Sequence, residues 1–165
     1  MASFNKILAP TDFSDDSSYA LQYAEELARK FGSEIIIMHV AQALAPVTFS
    51  LDPGGSADPL ALETIGRIAE EQRLAAQREL DRLVNRLREN GLRARSLLRV
   101  GAAFVEIVTT AQAENVDVIV MATHGRSGLA HMLLGSVADR VVAKAPCPVL
   151  TVRHPDRKFK HPLDK

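Results

Sequence analysis

The residues best suited to chemistry are three glycines and a serine in one short stretch, namely Gly125, Gly128, Gly135 and Ser136. The stretch follows an apolar run and precedes a segment with helical spacing, which predicts a loop between a strand and a helix. Glycines at 125 and 128 can adopt positive φ, and their N–H groups can form a concave anion site. A helix that begins at Gly135-Ser136 adds free N–H groups and a favourable dipole. The pattern indicates phosphate binding.

A structural interpretation competes with this one. Ser136 and Asp139 have the spacing of a capping box, which requires no ligand, and loop glycines can simply form turns. The stretch does not match G-x-x-x-x-G-K-[ST], and no G-x-G-x-x-G follows the first predicted strand. A Walker A loop and a dinucleotide site are therefore unsupported, while phosphate binding and a purely structural loop both stay open.

Other polar residues also have two interpretations. Asp12 follows the first predicted strand and either contacts a ligand or caps the next helix. Arg126 either clamps phosphate or faces water, and His39 at a strand end is interpreted as structural. The loop histidines lack the cysteine or carboxylate partners of a metal site, so no metal ligand is assigned. We identify no base that could activate water and assign no catalytic residue.

Strands and helices alternate along the whole chain. Strands are predicted at residues 4–9, 34–40, 94–100, 116–122 and 147–152, and helices at 15–31, 60–90, 102–114 and 137–145. The stretch 41–59, rich in proline and glycine, is predicted as a long loop. This order predicts a single α/β domain with a mostly parallel sheet and helices on both faces.

Composition limits the classes of partner. The chain of 165 residues has 20 basic and 20 acidic residues, so bulk charge gives no reason to expect nucleic acid or an anionic membrane as partner. No apolar run is long enough to span a bilayer, and no signal peptide is recognised. The only cysteine, Cys147, is interpreted as a small buried residue. We expect a cytoplasmic protein without membrane insertion.

Several motifs in order resemble those of the universal stress protein family. The family's ATP-binding members carry Gly, two residues, Gly, nine residues and then Gly-Ser or Gly-Thr. Here Gly125 stands as the second glycine and Gly135-Ser136 as the last pair, while Ala122 replaces the first glycine. Further similar segments are Ile7 to Ser14, His39-Val40, Val100-Gly101, Asp117 to Met121 and Ala145 to Leu150.

The resemblance implies a Rossmann-like fold with five parallel strands in the order 3-2-1-4-5, over residues 1–154. The polar and basic composition of residues 155–165 predicts a flexible tail. Ligands bind where the strand order reverses, between strands one and four. The resemblance places Asp12 near the ribose and the Val40 backbone at the adenine. The implied nucleotide-binding residues are Pro10, Thr11, Asp12, Val40, Met121, Ala122, His124, Gly125, Arg126, Gly128, Gly135, Ser136 and Val137.

The resemblance also implies a function. It suggests a regulatory protein of the stress response that binds ATP with Mg²⁺, hydrolyses it slowly or not at all, and acts on an unidentified protein partner. It implies a homodimer through the last strand, at Val149, Leu150, Thr151 and Val152. The alternatives are a slow ATPase or adenine-nucleotide hydrolase, and a partner-binding scaffold that has lost the nucleotide.

Overall fold

The structure is a computed structural model that describes residues 4–42, 59–125 and 134–156. Most of the loop predicted at 41–59 and of the tail predicted at 155–165 lies outside these ranges. So do the predicted site residues Arg126 and Gly128.

The described residues alternate between strands and helices, as predicted. The strands are β1 (Lys6–Pro10), β2 (Glu34–Ala41), β3 (Arg93–Val100), β4 (Val118–Ala122) and β5 (Val149–Val152). The helices are α1 (Asp15–Phe31), α2 (Pro59–Glu89), α3 (Ala103–Ala113) and α4 (Ser136–Lys144).

The five strands form one parallel sheet in the order β3-β2-β1-β4-β5, which confirms the predicted topology. Leu8 of β1 lies opposite Ile36 of β2 on one side and Ile119 of β4 on the other. The strand order therefore reverses at β1 and β4, and the residues after Pro10 and after Ala122 emerge at the same edge of the sheet. This arrangement is the usual ligand crevice of open α/β sheets.

Alternate residues of the central strands fill two cores, one on each face of the sheet. Ile7, Val120 and Ala122 pack on the face covered by α1 and α2, and Ile119 and Met121 pack on the face covered by α3 and α4. Because both faces are buried, these strands are continuously apolar rather than alternating. The two cores hold the ends of β1 and β4 in fixed positions.

Three strands begin later in the chain than the sequence predicted. β1 begins at Lys6 rather than Phe4, and the Asn5 N–H before it donates to the Asp117 carboxylate (2.7 Å). β4 begins at Val118 rather than Val116, because the Val116 N–H bonds to the Ala111 carbonyl at the end of α3 (3.0 Å). β5 begins at Val149 rather than Cys147, because Pro148 has no N–H for the ladder and contributes its carbonyl alone, to Ile119 N–H (3.0 Å).

Ser14 and Gly32, which flank the predicted helix at 15–31 and have residue types typical of caps, cap α1 at its two ends. The Ser14 hydroxyl oxygen accepts from the Ser17 N–H (3.2 Å) and opens the helix. Gly32 closes it in the left-handed region, with φ of 67° and its N–H bonded to the Ala28 carbonyl (2.8 Å). These caps fix α1 directly after the end of β1.

The longest helix does not have the composition of a membrane span. No helix among the described residues combines the length and the apolar character needed to cross a bilayer.

We predict opposite effects of the same substitution at two open glycines. A Cβ would meet no atom within 4 Å at either Gly32 or Gly66, but only Gly32 has a positive φ. Gly32→Ala should therefore destabilise the protein by about 1 kcal/mol through backbone strain. Gly66→Ala, inside α2, should stabilise it by about 0.5 to 1 kcal/mol through helix propensity. Urea unfolding of both variants measures the difference, and equal effects would contradict the role of Gly32 as a cap.

Candidate functional site

The turn after β1 is held by short hydrogen bonds. The Thr11 N–H donates to the Met38 carbonyl of β2 (2.8 Å), which extends the sheet by one residue. The buried Thr11 hydroxyl accepts from the Phe13 N–H (3.0 Å) and lies 3.0 Å from the Ser17 hydroxyl. Thr11 therefore directs its side chain into the start of α1 and supports the turn, while Asp12 projects from it.

Asp12 has one carboxylate oxygen committed to this turn. Its Oδ1 accepts from the Ser14 N–H (3.1 Å) and from the Ser14 hydroxyl (2.5 Å), which forms an Asx turn. Phe13 between them has a φ of 63°, a left-handed conformation uncommon for a residue with a side chain. The turn thus holds the Asp12 carboxylate in one orientation at the carboxyl edge of β1.

His39 supports the same turn from β2. Its Nδ1 lies 2.8 Å from the Thr11 carbonyl, which can only accept, so Nδ1 carries the proton. Its ring also packs on the Phe13 ring, with 4.4 Å between centroids. These contacts agree with the structural interpretation of His39.

Gly125 brings the end of β4 against Asp12. A Cβ at position 125 would lie 2.4 Å from Asp12 Oδ2, far inside contact distance. Gly125 does not have a positive φ, so the prediction of that backbone conformation was wrong at this position. The residue is glycine because the Asp12 carboxylate occupies the space of a side chain.

The start of α4 is tied to the ends of β4 and β5. The Thr123 N–H donates to the Val152 carbonyl (2.9 Å), and the Thr123 carbonyl accepts from the Gly135 N–H (2.7 Å). Gly135 is the N-cap residue, and a Cβ there would lie 3.1 Å from the Thr123 carbonyl oxygen. The helix therefore begins immediately beside the residue that follows β4.

The capping-box interpretation of Ser136 was wrong. Ser136 is the first residue of α4 and is exposed, and Gly135 supplies no side-chain cap. Among the described residues, no N-cap side chain satisfies the N–H groups in the first turn of α4, so within this part of the chain they can bind an anion at the end of the helix dipole. Val137, also predicted at the site, is half-buried and packs against the core beneath α3 and α4.

Some predicted site residues are enclosed. Met121 and Ala122 are core residues of β4, and His124 is only 5% exposed, with its Nδ1 3.0 Å from the Thr123 hydroxyl oxygen. The structure thus brings together Pro10 to Asp12, Met121 to Gly125 and Gly135 to Val137. Val40 lies on the neighbouring strand β2, two residues beyond Met38, the register partner of Pro10.

Sequence reasoning missed two residues that organise this edge, Thr123 and Ser14 as the partner of Asp12. Thr123 acts through its main chain, which no residue pattern reveals. The Asp-x-Ser spacing of Asp12 and Ser14 is a signal for the Asx turn and was available in the sequence.

The described residues include no group of three His, Cys, Asp or Glu side chains arranged to hold a metal ion. Cys147 lies apart from this edge, two residues before β5, and is half-buried rather than buried as expected. Burial, and after it the negative charge of Asp117, raises the pKa of the Cys147 thiol, which keeps it protonated at neutral pH. The start of α4 can bind an anionic group through its N–H groups, beside the contact between Asp12 and Gly125.

Comparison with known proteins identifies the family of this fold. The sequence model of the universal stress protein family matches residues 3–153. The chain belongs to the universal stress protein family.

Individual relatives agree over almost their whole length. Universal stress protein MJ0531 of Methanocaldococcus jannaschii is 34% identical over 155 residues, which cover 94% of this chain and 85% of the relative. Universal stress protein MJ0577 of the same organism is 32% identical, with 91% and 95% covered. The solved structure of MJ0577 superposes with a TM-score of 0.78, covering 93% of this chain and 98% of that one.

We predict that Gly125 is coupled to Asp12. Gly125→Ala should cost about 1 to 3 kcal/mol, because the new methyl group displaces the Asp12 carboxylate from Ser14. In an Asp12→Ala background the methyl group has room, and the added cost should fall below about 0.5 kcal/mol. A double-mutant cycle by urea unfolding measures this coupling. An equal cost in both backgrounds would show that the Asp12 contact is not the reason for the glycine.

Proposed function

We propose that this universal stress protein is an ATP-binding regulatory protein that hydrolyses the nucleotide slowly or not at all. The observation that carries the proposal is the position of the uncapped start of α4 at the topological switch point, hydrogen-bonded to Thr123 and next to the Asp12–Gly125 contact.

The phosphate end of the proposed site is formed by Gly135, Ser136 and Val137. Free N–H groups in the first turn of a helix bind phosphate oxygens, and the helix dipole strengthens the interaction. The exposed Ser136 hydroxyl adds a further donor. Gly125 and, outside the described residues, Arg126 and Gly128 complete this end as the resemblance implies.

The nucleoside end is proposed between β1 and β2. Asp12 is the predicted ribose contact and Val40 the predicted adenine contact. These residues lie at the ends of adjacent strands, on the side of the switch point away from β5. Asp12 is held by Ser14 before any ligand arrives, which lowers the entropic cost of binding.

Ala122 replaces the first glycine of the family motif, and this replacement is the feature that favours the scaffold alternative. Its side chain belongs to the core cluster on the α1 face, together with Val120 of the same strand and Ala20 and Ala24 of α1. The methyl group is thus accommodated by core packing. This observation supports nucleotide binding despite the replaced glycine.

Two family members have been solved with adenine nucleotides, one in complex with cAMP and one, from Archaeoglobus fulgidus, with dAMP. They superpose on this chain with TM-scores of 0.58 and 0.57 at 24% and 23% identity. These ligands support an adenine nucleotide as the class of ligand.

The contacts of the Asp12 carboxylate support the proposal of slow hydrolysis. Asp12 Oδ1 accepts two hydrogen bonds from Ser14, so it is better suited to accept from a ribose hydroxyl than to deprotonate water. Mg²⁺ bound with a nucleotide is held largely by phosphate oxygens and water, so the proposed site requires no dedicated group of metal ligands.

We predict that a negative charge at the start of α4 abolishes tight ATP binding. Ser136→Asp leaves the helix stable, because acidic residues favour its first turn, but it repels phosphate. We expect at least about a tenfold loss of ATP affinity, from a lost charge-assisted hydrogen bond and added repulsion. Isothermal titration with ATP and Mg²⁺ measures it.

The matched control is Ala102→Asp, which adds the same charge at the uncapped start of α3 on the same edge of the sheet. It should bind ATP like the wild type. A wild-type protein, folded and free of carried-over nucleotide, that does not bind ATP would instead favour the scaffold alternative. Phosphate release above background would favour the hydrolase.

We also propose a homodimer formed through β5. This strand is at the edge of the sheet, so one side of its backbone pairs with no other described strand. Leu150 in its centre is 39% exposed, and an apolar edge strand favours pairing with another chain.

We further propose a cytoplasmic location and an unidentified regulatory protein as partner.

We predict that Leu150→Lys converts the protein to a monomer in sedimentation equilibrium. A charged side chain on an edge strand opposes pairing with a second edge. Leu74→Lys on α2 is the matched control, since Leu74 is similarly exposed (44%) and α2 packs against β2 and β3, at the end of the sheet opposite β5. A dimeric Leu150→Lys protein would exclude this interface.

A further inference from the structure

Arg153, the residue after β5, has a guanidinium group with no protein partner among the described residues. Its Nε is buried, and it is the one buried side-chain nitrogen or oxygen there that lacks a hydrogen bond. No described ion pair includes it. Desolvating a cationic donor without pairing it is unfavourable, so such a group needs an explanation.

Arg95 shows how the same chain treats another arginine that is not fully exposed. Its guanidinium bonds to Glu34 (3.2 Å) and to Glu114 (2.6 Å). The side chains of all three residues are about one-third exposed or less. The unpaired state of Arg153 is therefore not the general condition of half-buried arginines in this protein.

Strand geometry places Arg153 on the α4 side of the sheet. Val149 packs against the core under α3 and α4, and Val152 packs in the core under α1. The alternation continues past the strand, because the ring of His154 contacts Tyr19 of α1, with 5.0 Å between centroids. Arg153 lies between Val152 and His154 and therefore on the opposite face, with α4.

The same hydrogen bonds that position α4 fix Arg153 beside it. The Val152 carbonyl accepts from the Thr123 N–H, and the Thr123 carbonyl accepts from the Gly135 N–H. Arg153 directly follows Val152, which accepts the first of these bonds. Ser136 directly follows Gly135, which donates the second. Arg153 therefore lies at the edge of the sheet, and on the face, where the proposed site places the phosphates.

We propose that Arg153 is a phosphate-binding residue of the nucleotide site, whose guanidinium donates to the phosphate chain of ATP. The inference rests on the proposed function and adds to it a fixed cation outside the glycine motif. Guanidinium groups suit this task because they stay charged and present paired donors to phosphate oxygens. A bound triphosphate would supply the acceptors that the protein does not.

The test compares ATP with adenosine, which has no phosphate, in isothermal titrations of Arg153→Met and wild type. Arg153→Met keeps an unbranched apolar side chain and removes the charge. We expect ATP affinity to fall about 10- to 100-fold, as for a lost charged hydrogen bond, with adenosine affinity unchanged. Arg78→Met, which removes an exposed charge on α2, is the matched control and should bind both ligands like wild type.

Thermal unfolding without ligand separates a binding role from a structural one. Removing an unpaired guanidinium should leave the midpoint of Arg153→Met equal to or above that of wild type, while ATP should stabilise the variant less. Arg153→Lys gives a second test if the first variant does not fold. It keeps the charge but loses the paired donors, so its ATP affinity should be several-fold below wild type.

The possible failures are distinct. Wild-type protein that does not bind ATP would overturn the proposed function together with this inference. Tight ATP binding by wild type that is unchanged in Arg153→Met, or reduced equally for ATP and adenosine, would overturn the role of Arg153 alone. A lower unfolding midpoint of Arg153→Met with unchanged ATP affinity would assign Arg153 to the fold.

Discussion

The close contact between Asp12 and Gly125 is the constraint on which the functional edge depends. It joins the end of β1 to the end of β4, and it exists only because position 125 lacks a side chain. Ser14 holds the carboxylate from the other side through two hydrogen bonds. The first and fourth strands are neighbours in the sheet, but this contact sets how the segments beyond them approach one another.

The second organising element is a row of main-chain hydrogen bonds from Val152 through Thr123 to Gly135. It determines where α4 begins and leaves the helix start without a side-chain cap. A serine or aspartate in place of Gly135 could cap the N–H groups of the first turn, but its Cβ would lie only 3.1 Å from the Thr123 carbonyl oxygen. Among the described residues, neither the N–H groups of this turn nor Arg153 Nε has a side-chain acceptor, and a phosphate in the proposed site would supply one.

Local patterns and general rules for βαβ units were sufficient to predict the alternation of elements and the caps of α1. The strand order was predicted from the family resemblance, and the structure confirms it. The sequence predicted the loop glycine at 125 for the wrong reason. The expected cause was a positive φ, whereas the observed cause is a carboxylate 113 residues earlier in the chain. Contacts between residues so distant in sequence arise only from the folded sheet, which also explains why the main-chain role of Thr123 was not predicted.

The role proposed for Arg153 was not predicted from the sequence for the same reason. In the sequence it is a basic residue after a closing strand, and nothing in its neighbours distinguishes it from a solvated charge. Its significance depends on burial of Nε, on the face assigned by strand alternation and on the position of α4, all of which are properties of the fold. A sequence motif identifies glycines that lie within one short stretch of the chain. Charges that approach a ligand from another strand are found by examining which buried polar groups the protein leaves without a partner.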